Sequence, residues 1–135
     1  MPWRAETPQT PLTREPPDTE RLQTRLHAIL TDLARKRVCV TYRDLAALAA
    51  VPPPHSIHKL TLALEDLIRE DAAAGRPLLA ALAVSRGPAA LPGRGFFALL
   101  RELGRYQGPD SGAEAAAYHG AEVERAWNHW GNGSS

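Results

Sequence analysis

Residues 40–70 read VTYRDLAALAAVPPPHSIHKLTLALEDLIRE, and the fold turns on how this stretch divides. Thr41, with Asp44 three residues on, has the form of a capping box, so a short helix is expected over YRDLAALAA. Pro52, Pro53 and Pro54 have no N–H to donate and push the preceding backbone out of the helical region, which ends that helix. Ser56 is a good N-cap for the next one. Ile57, Leu60, Leu64, Leu67 and Ile68 then fall at helical spacing and form its expected inward stripe, and Gly75 with Pro77 stops it. Ser56, His58, Lys59, Leu62 and Arg69 are left on the outward face. Two helices joined by a tight turn in this way form a helix-turn-helix.

Upstream, Leu22, Leu26, Ile29, Leu30 and Leu33 mark a helix starting near Asp18 or Thr19, with Arg35, Lys36 and Arg37 at its negative end. The β-branched VCVT that follows reads as a strand. Downstream, PLLAALAVSR is short, apolar and bounded by turn residues, so it reads as a buried strand, with a helix as the alternative. GPAALPGRG is a turn-rich loop or hairpin tip. Phe96, Phe97, Leu99, Leu100 and Leu103 belong to a short helix ending at Gly104. A last helix over roughly 113–130 carries Ala117, Tyr118, Ala121, Val123, Trp127 and Trp130 as apolar surface.

Residues 1–17 contain five prolines and no apolar periodicity, which predicts a disordered arm; residues 132–135 are expected to be a disordered tail. One domain, 18–131, lies between. Its expected class is mainly α with a small β-sheet: a winged helix-turn-helix in which the strand before the second helix pairs with the strand after the third, plus C-terminal helices.

The formal charge of +1 provides no global field to draw the chain onto nucleic acid or an acidic membrane. Residues 1–60 carry nine Lys/Arg against six Asp/Glu, and residues 110–135 carry one against four, so the front is mildly basic and the tail mildly acidic. Cys39 is the only cysteine, which excludes an internal disulfide or a cysteine-rich zinc site. The N-terminus lacks the apolar core of a signal peptide, and no uncharged run is long enough to span a bilayer. A cytoplasmic protein with no membrane partner is expected.

VTYRDLAALA, a proline-containing turn, a long helix, GRPLLAALAVSR and a Gly-rich loop with an aromatic together resemble the C-terminal domain of O6-alkylguanine-DNA alkyltransferases and the catalytically dead alkyltransferase-like proteins. The resemblance covers roughly residues 38–100. It implies a winged-helix domain whose second helix of the helix-turn-helix enters duplex DNA from the minor-groove side, in a regulatory or DNA-repair setting. Tyr42 matches the family's tyrosine near the flipped nucleotide, and His55 or Lys59 is nearest to the place of its intercalating arginine. The acceptor cysteine is missing: Leu82 stands in its place, followed by Ala83 and Val84, and Cys39 lies on the other strand. A thiolate nucleophile also needs a neighbouring base or cation, and neither strand has an adjacent histidine. No alkyl transfer, and no enzyme, is expected. PGRGFFALLRELG with the tryptophan-bearing helix is similar to the second half of small bacterial proteins, which implies no mechanism.

The candidate DNA contacts are therefore Tyr42, Arg43, His55, Ser56, His58 and Lys59, with the 35–37 basic cluster on flanking phosphates. Glu65, Asp66, Glu70 and Asp71 on the same helix argue for the alternative, a protein-interaction module docking through Leu62 or the Trp127/Trp130 helix. His119 with Glu122, and His129 with Glu124, share helical faces, but two ligands on one helix do not make a metal centre, and solvated surface is the expected reading. The tryptophans fit core packing better than a stacking platform. GRG at 93–95 reads as a turn rather than a phosphate loop. No cofactor and no metal are expected.

Overall fold

The computed structural model describes residues 18–86 and 90–131. Its elements in order are α1 (Asp18–Lys36), β1 (Val40–Thr41), α2 (Tyr42–Leu48), α3 (Ser56–Ala74), a 3-10 turn over Leu79–Leu82, β2 (Ala83–Val84), α4 (Arg94–Glu102) and α5 (Gly112–Trp130). The chain is thus mainly helical with a small sheet. β1 and β2 pair in parallel, Val40 opposite Ala83 and Thr41 opposite Val84, so the strand before the second helix meets the one after the third as expected. The expected arm 1–17, the tail 132–135 and residues 87–89 of the expected hairpin tip lie outside the described residues.

Each of the first four helices ends by the same device. A left-handed residue follows the last turn, at Arg37 (φ 55°), Ala50 (φ 54°), Gly75 (φ 73°) and Gly104 (φ 75°). The next N–H then reaches back five residues: Val38 to Leu33 at 3.2 Å, Val51 to Ala46 at 3.0 Å, Arg76 to Asp71 at 2.9 Å and Arg105 to Leu100 at 2.8 Å. So α2 stops at Leu48, ahead of the prolines, and Pro52–Pro54 only prevent it from resuming.

At the other ends, Thr41 is the true N-cap of α2, its hydroxyl accepting from Asp44 N at 3.1 Å. Ser56 does not cap α3. His55 holds that position in a left-handed conformation with no side-chain cap, which leaves Ser56 already helical. Ile57 does not point inward either: it is 44% exposed, because the first turn of α3 overhangs the core that Leu60, Leu64, Leu67 and Ile68 enter.

The largest departure from the sequence reading lies at PLLAALAVSR. Leu78 to Val84 are all buried as expected, yet only Ala83 and Val84 are strand. The 3-10 turn packs against α1, α3 and α5, so helices enclose it where a longer strand would need neighbouring strands. An enclosed, non-α backbone must find partners for its N–H and C=O groups, because each one left unpaired in the interior costs about 1–3 kcal/mol. Side chains from the surrounding helices provide them. Glu122 Oε2 accepts from Leu78 N at 2.7 Å, and Asp71 Oδ2 accepts from Leu79 N at 3.1 Å. His119 Nε2 donates to Ala81 O at 2.8 Å, and the Trp130 indole donates to Pro77 O at 3.0 Å.

This shell corrects the expected face of α5. Its buried residues are Ala115, His119, Glu122, Val123 and Ala126, whereas Ala117 and Ala121 are exposed. His119 and Glu122 are therefore interior groups bonded to backbone, not solvated surface. At the end of α5, a Cβ on Gly131 would collide with the Trp127 and Ala34 carbonyls, so glycine is what lets α5 close onto α1. Among the described residues, no helix is long and apolar enough to cross a membrane.

Candidate nucleic-acid interface

The α2–α3 corner stands at the edge of this body. The Thr41 cap fixes the start of α2 and so the direction of Tyr42 and Arg43. Tyr42 is half-buried, and its hydroxyl accepts from Gly93 N at 2.8 Å, tying α2 to the start of α4. Burial pushes the phenol pKa up and the Gly93 hydrogen bond opposes that shift, so the group stays neutral at physiological pH and keeps its own proton to donate.

Beside Tyr42 opens a shallow groove of about 640 Å³. Arg43 and Ala47 of α2 form one side, Ser56 and Ile57 of α3 another, and Ser85 and Arg86 just after β2 the third. Among the described residues, the two charged ones lining it are both arginines. The arrangement offers two guanidinium groups, the Ser56 and Ser85 hydroxyls and a phenol beside an apolar wall, which is the donor chemistry that phosphate and sugar oxygens take.

The six expected contact residues divide on this geometry. Tyr42, Arg43 and Ser56 come together in the groove. His55 and His58 are exposed at the end of α3 but do not line it. Lys59 is drawn across the turn, its Nζ donating to Pro52 O at 3.1 Å, and faces a different hollow. Sequence reading missed Ser85 and Arg86. Their signal was the polar pair closing the apolar run PLLAALAVSR, which brings them beside α2 only once the two short strands pair.

The basic cluster at the end of α1 is largely engaged within the fold. Lys36 pairs with Asp32 at 3.0 Å. Arg37 pairs with Glu124 at 3.3 Å, reaches Asn128 Oδ1 at 3.1 Å and lies 5.1 Å over the Trp127 ring. The Trp127 indole donates to Val38 O at 3.2 Å, and both tryptophans are partly buried, in keeping with packing on the body. Two of the four acids named on α3 are also less available than the sequence suggests. Asp71 is buried against Leu79 N and pairs with Arg76 at 3.0 Å, and Glu70 accepts from Gln23 at 3.3 Å.

Burial lowers the His119 pKa, against the Ala81 and Glu122 contacts, so a neutral imidazole donates from Nε2. Burial raises Asp71, opposed by Leu79 N–H and Arg76. Glu122 pairs with Arg125 through its second oxygen. Among the described residues, no three His, Cys, Asp or Glu side chains are grouped as metal ligands. Cys39 is exposed, with its thiol pushed up by partial desolvation, the wrong direction for a nucleophile. Leu82, at the place of the expected acceptor position, is fully buried.

Comparison of the chain with protein-family models, curated proteins and solved structures returns no match.

Proposed function

We propose that the chain is a small, non-enzymatic DNA-binding protein of winged helix-turn-helix, alkyltransferase-like type, acting in the cytoplasm in regulation or repair. The groove at the starts of α2 and α3 is its contact surface with duplex DNA. The observation that carries the reading is that groove's lining: Arg43 and Arg86 flank it, Ser56, Ser85 and Tyr42 add neutral hydrogen-bonding groups, and among the described residues no carboxylate lines it. It opens beside an α3 N-terminus whose His55 and His58 face solvent. Phosphate neutralisation by the two arginines supplies much of the affinity and makes it salt-dependent. The chemistry of the chain supports binding over alkyl transfer, because a buried leucine occupies the acceptor position and the thiol of Cys39 is not activated.

Fluorescence anisotropy with a random-sequence duplex at two salt concentrations tests this. Affinity should fall as salt rises. Arg43→Ala and Arg86→Ala should each weaken binding several-fold and reduce the salt slope by about 1. Absence of binding at low salt, or affinity indifferent to both substitutions, overturns the proposal.

A further inference from the structure

Arg94 opens α4 one residue past Gly93, whose N–H donates to the Tyr42 hydroxyl at 2.8 Å. Two hydrogen bonds pin the backbone that delivers it. Ser85 N donates to Leu91 O at 2.8 Å, drawing together the chain that leaves β2 and the chain that returns toward α4. Pro92 is then buried, and the Gly93–Tyr42 bond ties the returning chain to α2. Arg86 follows Ser85 and Arg94 follows Gly93, so each of these exposed arginines comes directly after a residue bonded at the groove's edge.

We propose that Arg94, held in place through Tyr42, is a further phosphate contact of the interface, which then runs from α2 across Tyr42 to the start of α4. The inference rests on the DNA reading above and adds a residue that does not itself line the groove. A single exposed arginine is ordinary surface, but the fold commits many of its arginines elsewhere. Arg37, Arg69, Arg76, Arg101 and Arg125 each pair with a carboxylate. Among the described residues, no ion pair or side-chain hydrogen bond engages Arg43, Arg86 or Arg94, and only Arg35 and Arg105 share that condition. Glu65 is the acid on this side. Its Oε2 lies 3.5 Å from where a Cβ on Gly95 would stand, in a small recess shared with Tyr42, Leu64 and Phe96, and it makes no ion pair with Arg94. Duplex DNA carries one phosphate per about 1.7 Å of axis, so a cation just outside a groove that seats one phosphate meets another. The pinned backbone also means that little freedom is lost when Arg94 engages it.

The test is fluorescence anisotropy with the full chain and the random-sequence duplex over a series of salt concentrations, each variant first shown to be folded by circular dichroism. Arg94→Ala should weaken binding several-fold and make the log–log salt slope shallower by about 0.9, whereas Arg94→Lys, which keeps the charge, should keep the slope. Arg105→Ala, past the other end of α4, should alter neither. Tyr42→Phe removes the acceptor that places Gly93, so Arg94→Ala should cost less in that background than in the wild type. Binding that Arg43→Ala and Arg86→Ala weaken but Arg94→Ala does not would overturn the inference and leave the groove reading standing. An equal loss of slope in Arg105→Ala, or full additivity of Tyr42→Phe with Arg94→Ala, would do the same. Absence of duplex binding at low salt removes the groove reading and this contact with it.

Discussion

The shell around Pro77–Leu82 and the corner between α2 and α3 both gather polar side chains, but for opposite ends. In the shell, Asp71, His119, Glu122 and Trp130 each meet a backbone group of one enclosed segment. At the corner, Arg43, Arg86, His55 and His58 face solvent. A buried titratable residue looks functional when seen in isolation, yet Asp71, His119 and Glu122 are each accounted for by the backbone they serve. The arginines of the proposed interface, Arg43 and Arg86, are exposed, and if that proposal holds the two regions should respond to mutation in different observables.

The largest effect belongs to the shell. Glu122→Leu removes the acceptor of Leu78 N–H and leaves a donor buried, so about 3 kcal/mol of stability should be lost, read from urea denaturation. DNA affinity measured well below the midpoint should not change. A loss under about 1 kcal/mol would mean that the segment finds another partner and that the shell is less closed than its geometry suggests. A loss of DNA affinity in the still-folded variant would break the division between the regions.

The shell also sets a pH dependence. The His119 pKa is lowered by burial from the ordinary 6.5, so as pH falls through that value the unfolded chain takes up the proton first. Stability is present in full above about 6.5 and declines on acidification until the folded imidazole is also protonated, by at most about 1.4 kcal/mol per pH unit for one proton. Asp71 acts with the opposite sign: its raised pKa makes the folded state the better proton binder in the range above 3.8, so that contribution fades as pH rises through the folded pKa. His119→Gln, which keeps an N–H for Ala81 O, should flatten the decline between pH 7 and pH 6. An unaltered slope would assign the dependence elsewhere.

How much of this was legible in the sequence depends on the distance over which each signal acts. Local signals read well: the Thr41 cap, the Gly75 and Gly104 stops, and the Leu60–Leu64–Leu67 stripe all depend on residues within a turn or two. The candidate site read only in part, because Tyr42, Arg43 and Ser56 are near in sequence whereas Arg86 joins them through strand pairing. The shell read only in part: the burial of the apolar run and the packing of Trp130 were expected, and the polar contacts that enclose the run were not. His119 and Glu122 sit three apart on one helical face, a pattern equally suited to solvent, and what buries them is a non-helical segment about forty residues earlier. Ser56 misled because it is the best capping residue near the turn, and a cap prediction weighs residue type before the backbone that places it.

That turn holds the smallest effect and the sharpest use of the comparison. Ala50 adopts φ 54°, a conformation in which a Cβ crowds the following carbonyl, at the position where the ends of α3 and α4 use glycine. Its backbone bonds to Ala47 O at 3.1 Å, and Val51 N bonds to Ala46 O at 3.0 Å, so the α2 cap is complete despite the side chain. Ala50→Gly keeps both bonds and relieves the crowding, against the greater freedom of glycine in the unfolded chain, and should raise stability by about 0.5–1 kcal/mol. Because nothing charged in the groove is altered, DNA affinity should stay within twofold. A stabilised variant with weakened DNA binding would show that the left-handed alanine positions α3 for its partner. The corner would then depend on a fixed backbone for recognition, just as the shell depends on fixed side chains for stability.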